Sequence, residues 1–483
     1  MLASLIPYLP WLLSAISVAL AVWSSAHVIL YKRDPRSSIS WVGLIWLAPI
    51  LGSALYFVFG INRIQRKAFR LRRRRPPPRR AKTPHLSIAE AFVPHPPNRL
   101  GHLHRLARLM GRITQRSLLH GNRIQVLENG DQAYPAMLEA IQAARQSITL
   151  STYIFEGDAA GKRFVDALGS AVSRGVEVRV LIDDIGAHYS WPAVFRLLHR
   201  ARVPTAAFLP QLLPAYLPYA NLRNHRKTLV VDGRIGFTGG INIREGNELA
   251  ASPRHPIQDL HFRIDGLVVA HLQEVFADDW HFCTKETLDG DQWFPKLEAQ
   301  GPIAARGISG GPDDNFERMR MAYLGALTCA RRSVRIVTPY FLPDISLVAA
   351  LTMAAMRGVE VDILIPQKNN LLLVQWATMA SLWQVLEHGC RVWMTPPPFD
   401  HSKLILVDGA WTLFGSANWD PRSLRLNFEF DVECYSRELT GYLEELVRRK
   451  LEKAQPVTLA DVDRRSLPIK LRDGIARLFT PYL

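Results

Sequence analysis

Two short segments of this chain contain residue types that could perform chemistry on a phosphate ester. In the first, His225 is followed by Lys227 and Asp232, and then by a Gly-Gly-Ile-Asn corner that ends at Asn242. An imidazole beside an ammonium group suits this chemistry, because the lysine can neutralise phosphate charge while the histidine attacks phosphorus or carries a proton. One such segment supplies half of a site.

The second segment repeats the first 176 residues later along the chain. His401, Lys403 and Asp408 keep the same spacing, and a Gly-Ser-Ala-Asn corner contains Ser416 and Asn418. The interval from His to Asp is seven residues in both copies, and the interval from Asp to Asn is ten. Two copies supply enough groups for a nucleophile, a general acid and an anion clamp, so the chemistry needs no metal ion and no other cofactor.

Each segment is predicted to form a β-hairpin that positions these side chains. An apolar run follows the lysine, Asp-Gly supplies a tight turn, and a second apolar run leads to the corner with the asparagine. Residues two apart on a strand project from the same face, so the His and Lys of each copy should point the same way. Asp232 and Asp408 stand at the turns, where Asp is favoured for turn geometry alone; we prefer this role to direct chemistry.

The doubled His-x-Lys-(x4)-Asp pattern, with its trailing Gly-Gly/Ser-x-Asn, resembles the phospholipase D superfamily. The order of segments is most similar to the bacterial cardiolipin synthases, and the resemblance covers nearly the whole chain. It implies an α/β fold with two pseudo-symmetric phospholipase D-like lobes, each a mixed β-sheet flanked by helices, behind an N-terminal two-helix transmembrane hairpin. It also implies a phosphatidyltransferase that moves a phosphatidyl group from one phosphatidylglycerol to another and releases glycerol.

The resemblance further implies a role for each motif residue. His225 would form a phosphatidyl-histidine, although which histidine attacks stays open, and His401 would act as acid and base. An acid should orient each histidine. Asp259, which follows a Gln258 where the family pattern has Arg, is expected to serve the first hairpin, and Glu429 is expected to orient His401. The phosphate oxygens would be held by Lys227, Lys403, Asn242 and Asn418, with Ser416 as a helper.

The charge distribution argues against nucleic acid as the partner. The net charge is +16, but residues 61–82 contain eleven Lys and Arg and no acid, so the 401 residues that follow are nearly neutral. Alternatives remain a phospholipase D-type phosphodiesterase that hydrolyses phospholipid or nucleic acid, and a lipid-binding scaffold without activity. The expected partners are an anionic phospholipid substrate and the bilayer; the oligomeric state is left open.

The N-terminal region is predicted to enter a membrane twice. Residues 5–30 and 39–61 contain no charged residue, and about 20 apolar residues suffice for one span. The first run lacks the basic start of a signal peptide and is too long for one. Because the larger basic cluster follows the second run, the catalytic body should lie on the cytoplasmic side of the bacterial inner membrane.

The rest of the chain is a duplication. Residues 147–155 match 333–341, and residues 174–182 match 357–365, at offsets of 186 and 183 residues. These blocks alternate strand and helix, which predicts two sheets covered by helices. An approximate two-fold axis should bring the two hairpins to one site. The expected divisions are 1–62 for the spans, 63–99 for a basic linker, 100–300 for the first lobe and 301–483 for the second.

Other apolar and acidic segments are open to two interpretations. Residues 208–219 form either a buried connection or a lip for acyl chains, and residues 369–386 are predicted to be one long helix that packs in the core or forms an acyl-chain wall. Asp183 and Asp184 end a strand and are interpreted as caps rather than metal ligands. The basic, apolar tail 469–483 rests either on the membrane or on the core.

Overall fold

The computed structural model describes residues 9–32, 35–60, 101–188, 193–209, 222–312 and 316–480. The chain separates into an N-terminal unit and a body, and the described part of the body begins at residue 101. The predicted basic linker 63–99 lies outside the described residues, as does most of the apolar segment 208–219.

The N-terminal unit contains one helix that is long and apolar enough to cross a membrane, Pro10–Tyr31, by length and composition. The second run, predicted as a single span over 39–61, is not one continuous helix. Among the described residues it forms helices at Pro35–Leu47 and Pro49–Leu55 and a π-helical turn at Tyr56–Gly60. The interruption at Ala48 has a physical cause, because Pro49 has no N–H to donate and its ring clashes with a preceding carbonyl.

The strands of the body form one continuous sheet of fifteen strands among the described residues, and a separate two-stranded ribbon. The strands are β1 Leu119–Glu128, β2 Ser147–Thr152, β3 Glu177–Asp183, β4 Thr205–Phe208, β5 Thr228–Val231, β6 Ile235–Gly239, β7 Ile257–Gln258, β8 Leu260–Gly266, β9 Ile303–Gly310, β10 Ser333–Val337, β11 Glu360–Pro366, β12 Arg391–Thr395, β13 Phe399–Asp400, β14 Leu404–Val407, β15 Trp411–Gly415, β16 Glu429–Tyr435 and β17 Gln455–Val457.

Helices cover this sheet. They span His104–Thr114, Asn129–Ala143, Ala159–Ser173, Val194–Arg200, Val269–Thr284, Arg318–Cys329, Ile345–Met356, Leu372–Met379, Trp383–Leu386, Pro421–Arg425, Arg437–Leu451, Leu459–Asp463 and Leu467–Leu478. The single long helix predicted for 369–386 is therefore wrong: that segment is two short helices separated by a turn.

The strand order shows the duplication directly. One half of the sheet runs β1-β8-β6-β5-β2-β3-β4, and the other half runs β9-β16-β15-β14-β10-β11-β12 with β17 added at its edge. The two series correspond strand for strand, and they meet where β1 pairs antiparallel with β9. The predicted α/β fold with two pseudo-symmetric lobes is confirmed.

The same local signals start equivalent helices in the two lobes. Asp158 accepts a hydrogen bond from the backbone N–H of Gly161, at 2.8 Å, and Asp344 accepts one from Leu347, at 3.0 Å. Such N-caps satisfy donors that a helix cannot pair internally, and each contributes about 1 kcal/mol. The helix that Asp158 begins packs against β3, and the helix that Asp344 begins packs against β11.

Both predicted hairpins are present. β5 pairs with β6 and β14 pairs with β15, each through an Asp-Gly turn. Asp232 and Asp408 adopt φ angles of +51° and +54°. Few residue types adopt such angles readily, and Asp is one of them. The core between the lobes includes Phe262 and Phe414, whose rings stack with centroids 3.6 Å apart.

Candidate active site

Each histidine segment is attached to the opposite lobe by its backbone. The N–H of His225 donates to the carbonyl of Phe428 at 2.9 Å, and the N–H of His401 donates to the carbonyl of Gln258 at 2.8 Å. The ribbon of β7 and β13 continues this exchange, since it pairs Asp400 of the second lobe with Gln258 of the first. The segments that hold the two histidines are therefore fixed by contacts between lobes.

The carboxylates beside the histidines also cross between lobes. Nδ1 of His225 lies 3.0 Å from both carboxylate oxygens of Glu429, and Nδ1 of His401 lies 2.7 Å from Oδ2 of Asp259. The sequence-based assignment had these pairs the other way round and is corrected here. Phe428 binds the backbone of His225, and Glu429 is the next residue and the first of β16. The backbone contact between the lobes therefore places Glu429, and not Asp259, beside His225.

These contacts set the state of the imidazole rings. A carboxylate accepting from Nδ1–H leaves Nε2 unprotonated in the neutral ring. Burial lowers the pKa of His225, against the opposing effect of Glu429, and it lowers the pKa of His401 to about 4. Both rings are therefore neutral near pH 7, and each has an Nε2 lone pair with which to attack phosphorus or accept a proton.

The two lysines are buried beside the histidines. Nζ of Lys227 donates to the carbonyl of His225 at 2.7 Å, and Nζ of Lys403 donates to the carbonyl of His401. Burial lowers the pKa of Lys227 to about 7 and that of Lys403 to about 8. Desolvated ammonium groups of this kind gain most when an anion enters and neutralises them.

The charges of the two His/Lys pairs affect each other's pKa values. The charge of Lys403 contributes to the lowered pKa of both Lys227 and His225, and the charge of Lys227 contributes to the lowered pKa of His401. Both lysines are in turn stabilised by Asp259 and Glu429. These groups form a buried cluster, here called the pocket, to which each lobe contributes a histidine, a lysine and a carboxylate.

Two tyrosines that sequence reasoning missed flank this pocket. The ring of Tyr153 lies 5.2 Å from that of His225, with Nζ of Lys227 5.6 Å from its centroid. The ring of Tyr340 lies 6.4 Å from that of His401. The repeated blocks could have indicated these tyrosines, because Tyr153 lies near the end of residues 147–155 and Tyr340 near the end of residues 333–341.

The two corner asparagines differ in their surroundings. Oδ1 of Asn242 accepts from the backbone N–H of Ile154 at 3.1 Å, whereas the buried Oδ1 of Asn418 has no hydrogen-bond partner within the described chain. Asn418 instead lowers the pKa of Asp420 by a side-chain hydrogen bond, although burial leaves that pKa raised to about 6. Contact of either amide with phosphate stays a prediction.

Ser416 does not have a free hydroxyl for substrate. Its Oγ accepts from the N–H of Phe430 at 3.0 Å and lies 3.4 Å from the carbonyl of the same residue. A further hydrogen bond from Ser416 helps to keep the pKa of Glu429 low, against the effect of burial. These contacts engage Ser416 within the protein, and its expected role as a phosphate ligand stays a prediction.

Asp232 and Asp408 lie at the hairpin tips and not among the reacting groups. The Asp232 carboxylate accepts backbone N–H groups of Arg145, Gln146 and Ser147, and the Asp408 carboxylate accepts those of Arg331, Arg332 and Ser333. Seven residues of extended strand span up to about 23 Å, so the chain carries each tip away from its histidine. These contacts agree with the turn role that the sequence favours over direct chemistry.

Two further residues position the His225 segment. Asp183 accepts the N–H of Asn224 at 2.9 Å, which agrees with the capping interpretation of this acid. Arg226 is buried between the lobes: its guanidinium pairs with Asp279 and donates to Ser309 Oγ at 2.9 Å and to the carbonyl of Glu429 at 3.1 Å. Sequence reasoning had no signal for Arg226, since an arginine between a His and a Lys resembles any basic surface residue.

Comparison with known proteins agrees with this geometry. Residues 137–280 and 323–451 match the family model described as "Cardiolipin synthase, PLD-like domain". The chain is 32% identical to a cardiolipin synthase of Oceanobacillus iheyensis over 473 residues, which is 97% of each chain. This chain belongs to the cardiolipin synthase family of phospholipase D-like proteins. It is also 31% identical to the major cardiolipin synthase of Bacillus subtilis, over 95% of this chain and 96% of that one.

Two further matches concern the N-terminal region and the fold. Residues 19–60 match a phospholipase D-nuclease N-terminal family model, which places the apolar region within the same family. Among solved structures, the phosphatidylserine synthase of Haemophilus influenzae superposes with a TM-score of 0.60 at 14% identity, covering 78% of this chain and all of that one. That likeness supports the fold alone.

Proposed function

We propose that this chain is a cardiolipin synthase, which moves a phosphatidyl group from one phosphatidylglycerol to a second and releases glycerol. The observation that supports this most strongly is the buried pocket in which His225 and His401 each hold a carboxylate of the opposite lobe, with a desolvated lysine beside each ring. The two lysines can contact the oxygens of one phosphodiester, and the two imidazoles suit a two-step transfer.

In the first step, Nε2 of His225 attacks phosphorus and the bond from phosphorus to the glycerol oxygen breaks. The bound phosphodiester anion offsets the lysine charges, which raises the pKa of His401 and lets it enter as imidazolium. His401 gives its Nε2 proton to the departing glycerol oxygen. A covalent phosphatidyl-histidine remains, with Glu429 stabilising the charge on the His225 ring.

In the second step, the free hydroxyl of another phosphatidylglycerol occupies the place of glycerol. His401, now neutral, accepts the hydroxyl proton as the oxygen attacks phosphorus. The phosphorus–nitrogen bond breaks, so His225 returns to its starting state and cardiolipin leaves. Such acid–base assistance contributes about 10²–10⁴-fold to a rate.

The test is a product assay on full-length protein in phosphatidylglycerol vesicles. We expect cardiolipin and glycerol in equal amounts, with both products lost in His225→Ala and in His401→Ala. Lys162→Ala, an exposed change in the first lobe, is the matched control. Wild-type rates in either histidine variant would contradict the two-histidine mechanism, and phosphatidic acid as the main product would indicate hydrolysis instead.

We also propose that the apolar N-terminal region crosses the bacterial inner membrane twice and leaves the body on the cytoplasmic side. The uncharged runs and the basic cluster after them support this topology. Reporter enzymes fused after residue 90 should be active only when the reporter is a cytoplasmic type. Activity confined to a periplasmic reporter would overturn the orientation.

A further inference from the structure

The helix Leu467–Leu478 near the C-terminus packs with its apolar side outward. Leu467, Leu471, Ile475 and Leu478 are 69%, 58%, 57% and 73% exposed, whereas Asp473 and Ala476 on the opposite side are buried. Positions i, i+4, i+8 and i+11 share one face of an α-helix, so these four residues form a continuous apolar stripe. A helix that only served the core of the body would have the reverse arrangement.

Basic residues border this apolar stripe. Lys470 and Arg477 lie along one side of the helix and Arg472 along the other, and all three are exposed. The acid of this helix, Asp473, is 1% exposed and is paired with Arg465 and Arg472. An exposed apolar face flanked by cations is typical of helices that lie in the interface of an anionic bilayer, where the long basic side chains reach the headgroups.

The stripe also connects to the candidate active site. Its helix packs against the helix Leu372–Met379, with Ala476 in one small core with Val374 and Ala377. The N-cap and first two residues of that second helix, 371–373, are three more leucines, about half exposed each. Next to them, Asn370 accepts a hydrogen bond at 2.9 Å from the hydroxyl of Tyr340.

Because the ring of Tyr340 lies beside that of His401, the apolar surface begins at the edge of the pocket. We infer that the stripe and residues 371–373 form a membrane-docking face, which inserts into the headgroup and upper acyl region of an anionic bilayer and holds the pocket of the second lobe at the depth of lipid phosphates. The inference rests on the proposed function for its purpose, since a lipid substrate has to reach the pocket. Both interpretations of the C-terminal tail then apply to this helix, with Ala476 packed on the core and the stripe in the membrane.

The direct test is the depth of the stripe in a bilayer, measured with the full chain in vesicles of phosphatidylglycerol and phosphatidylcholine. An environment-sensitive fluorophore is attached at Leu471→Cys, with the half-buried Cys283 and Cys329 replaced by alanine. The control places the fluorophore at Glu139→Cys, on an exposed helix position of the first lobe. We expect doxyl-labelled lipid to quench Leu471→Cys at least several-fold more strongly than Glu139→Cys. Equal quenching at the two positions would overturn the inference.

A second test separates docking from chemistry. Leu471→Asp combined with Ile475→Asp should lower the rate on long-chain phosphatidylglycerol vesicles roughly tenfold, because charged groups are excluded from the apolar interface. The rate on monomeric dihexanoyl phosphatidylglycerol should stay within about twofold, since that substrate needs no bilayer. Lys162→Asp, which changes the net charge by the same amount at an exposed site of the first lobe, is the control.

The outcomes are distinguishable. An unchanged rate on vesicles in the double variant would overturn the docking face but leave the proposed function intact. Wild-type protein without activity on either lipid would overturn the proposed function, and the quenching experiment would still decide the docking face. If the double variant converts a dimer to a monomer in detergent and Leu471→Cys shows no quenching, the face is a contact between copies and the inference is wrong.

Discussion

The pH response of the pocket depends on two buried lysines, Lys227 and Lys403. In the free protein their pKa values are lowered to about 7 and about 8, so both are charged below this range and lose their charge as the pH rises through it. Since the charged forms bind phosphate and Lys227 has the lower pKa, we expect kcat/KM to begin to fall above about pH 7.

The profile of kcat should fall at a higher pH, because a bound phosphate anion raises the pKa of both lysines. Lys227→Arg should shift the alkaline fall of kcat/KM upward, since a guanidinium stays charged. An alkaline fall that does not move in Lys227→Arg would show that another group titrates there.

The orientation of the histidines can be tested at Glu429. Glu429→Gln keeps the size of the side chain but removes the charge that stabilises a cationic His225 ring. We expect kcat to fall by about 10²–10⁴-fold, the range in which acid–base and orienting groups act. The measurement is kcat on phosphatidylglycerol vesicles, with the exposed Glu438→Gln as control. A loss confined to KM would argue for a binding role instead.

The acids at the hairpin tips should behave differently from the acids beside the histidines. Asp408→Asn tolerates the positive φ angle but weakens the acceptor for three backbone N–H groups. We expect the free energy of unfolding to fall by about 1–3 kcal/mol, with kcat within about twofold of wild type. Denaturant unfolding and the product assay check the two halves of this prediction. A loss of kcat without a loss of stability would indicate that Asp408 takes part in the chemistry.

At the scale of secondary-structure elements, Arg226 connects the segment before the first hairpin to strands of the second lobe. Its buried guanidinium joins the segment before β5 to β9 and β16 and neutralises Asp279. Arg226→Met leaves an uncompensated buried carboxylate, so the free energy of unfolding should fall by about 3–5 kcal/mol. Replacing Asp279 by leucine in the same chain should recover part of the loss. The exposed Arg234→Met is the control, and an equal effect of both substitutions would contradict the prediction.

The elements themselves were predictable to different degrees. The hairpins followed from Asp-Gly turns between apolar runs, which are local signals, and the matched blocks predicted the equivalent strands of both lobes. The segment 369–386 was predicted as one helix because it contains no Gly or Pro to indicate an end. The chain nevertheless turns at residues 380–382, which no local signal predicted. In the second membrane segment the uncharged run predicted one span, whereas the structure divides it into helices on either side of Ala48.

Considered as a whole molecule, the body builds its site from both lobes of one chain. Cross-lobe pairing of β1 with β9 and of β7 with β13 occurs within the same polypeptide. We therefore expect that mixing purified His225→Ala and His401→Ala proteins in one vesicle preparation restores no activity, because each copy lacks one half of its own pocket. Recovery approaching a quarter or more of the wild-type rate would indicate that lobes are exchanged between copies, as in domain swapping.

The sequence by itself determined the duplication, the two His/Lys motifs, the α/β class and the family, because each of these is contained in local patterns and in their repetition. Only the tertiary structure decided which acid lies against which histidine, that the hydroxyl of Ser416 contacts Phe430, and that the stripe on the last helix points outward. The physical reason is that these facts depend on contacts between segments far apart in the chain. Asp259 and His401 are 142 residues apart, and no local pattern specifies their contact.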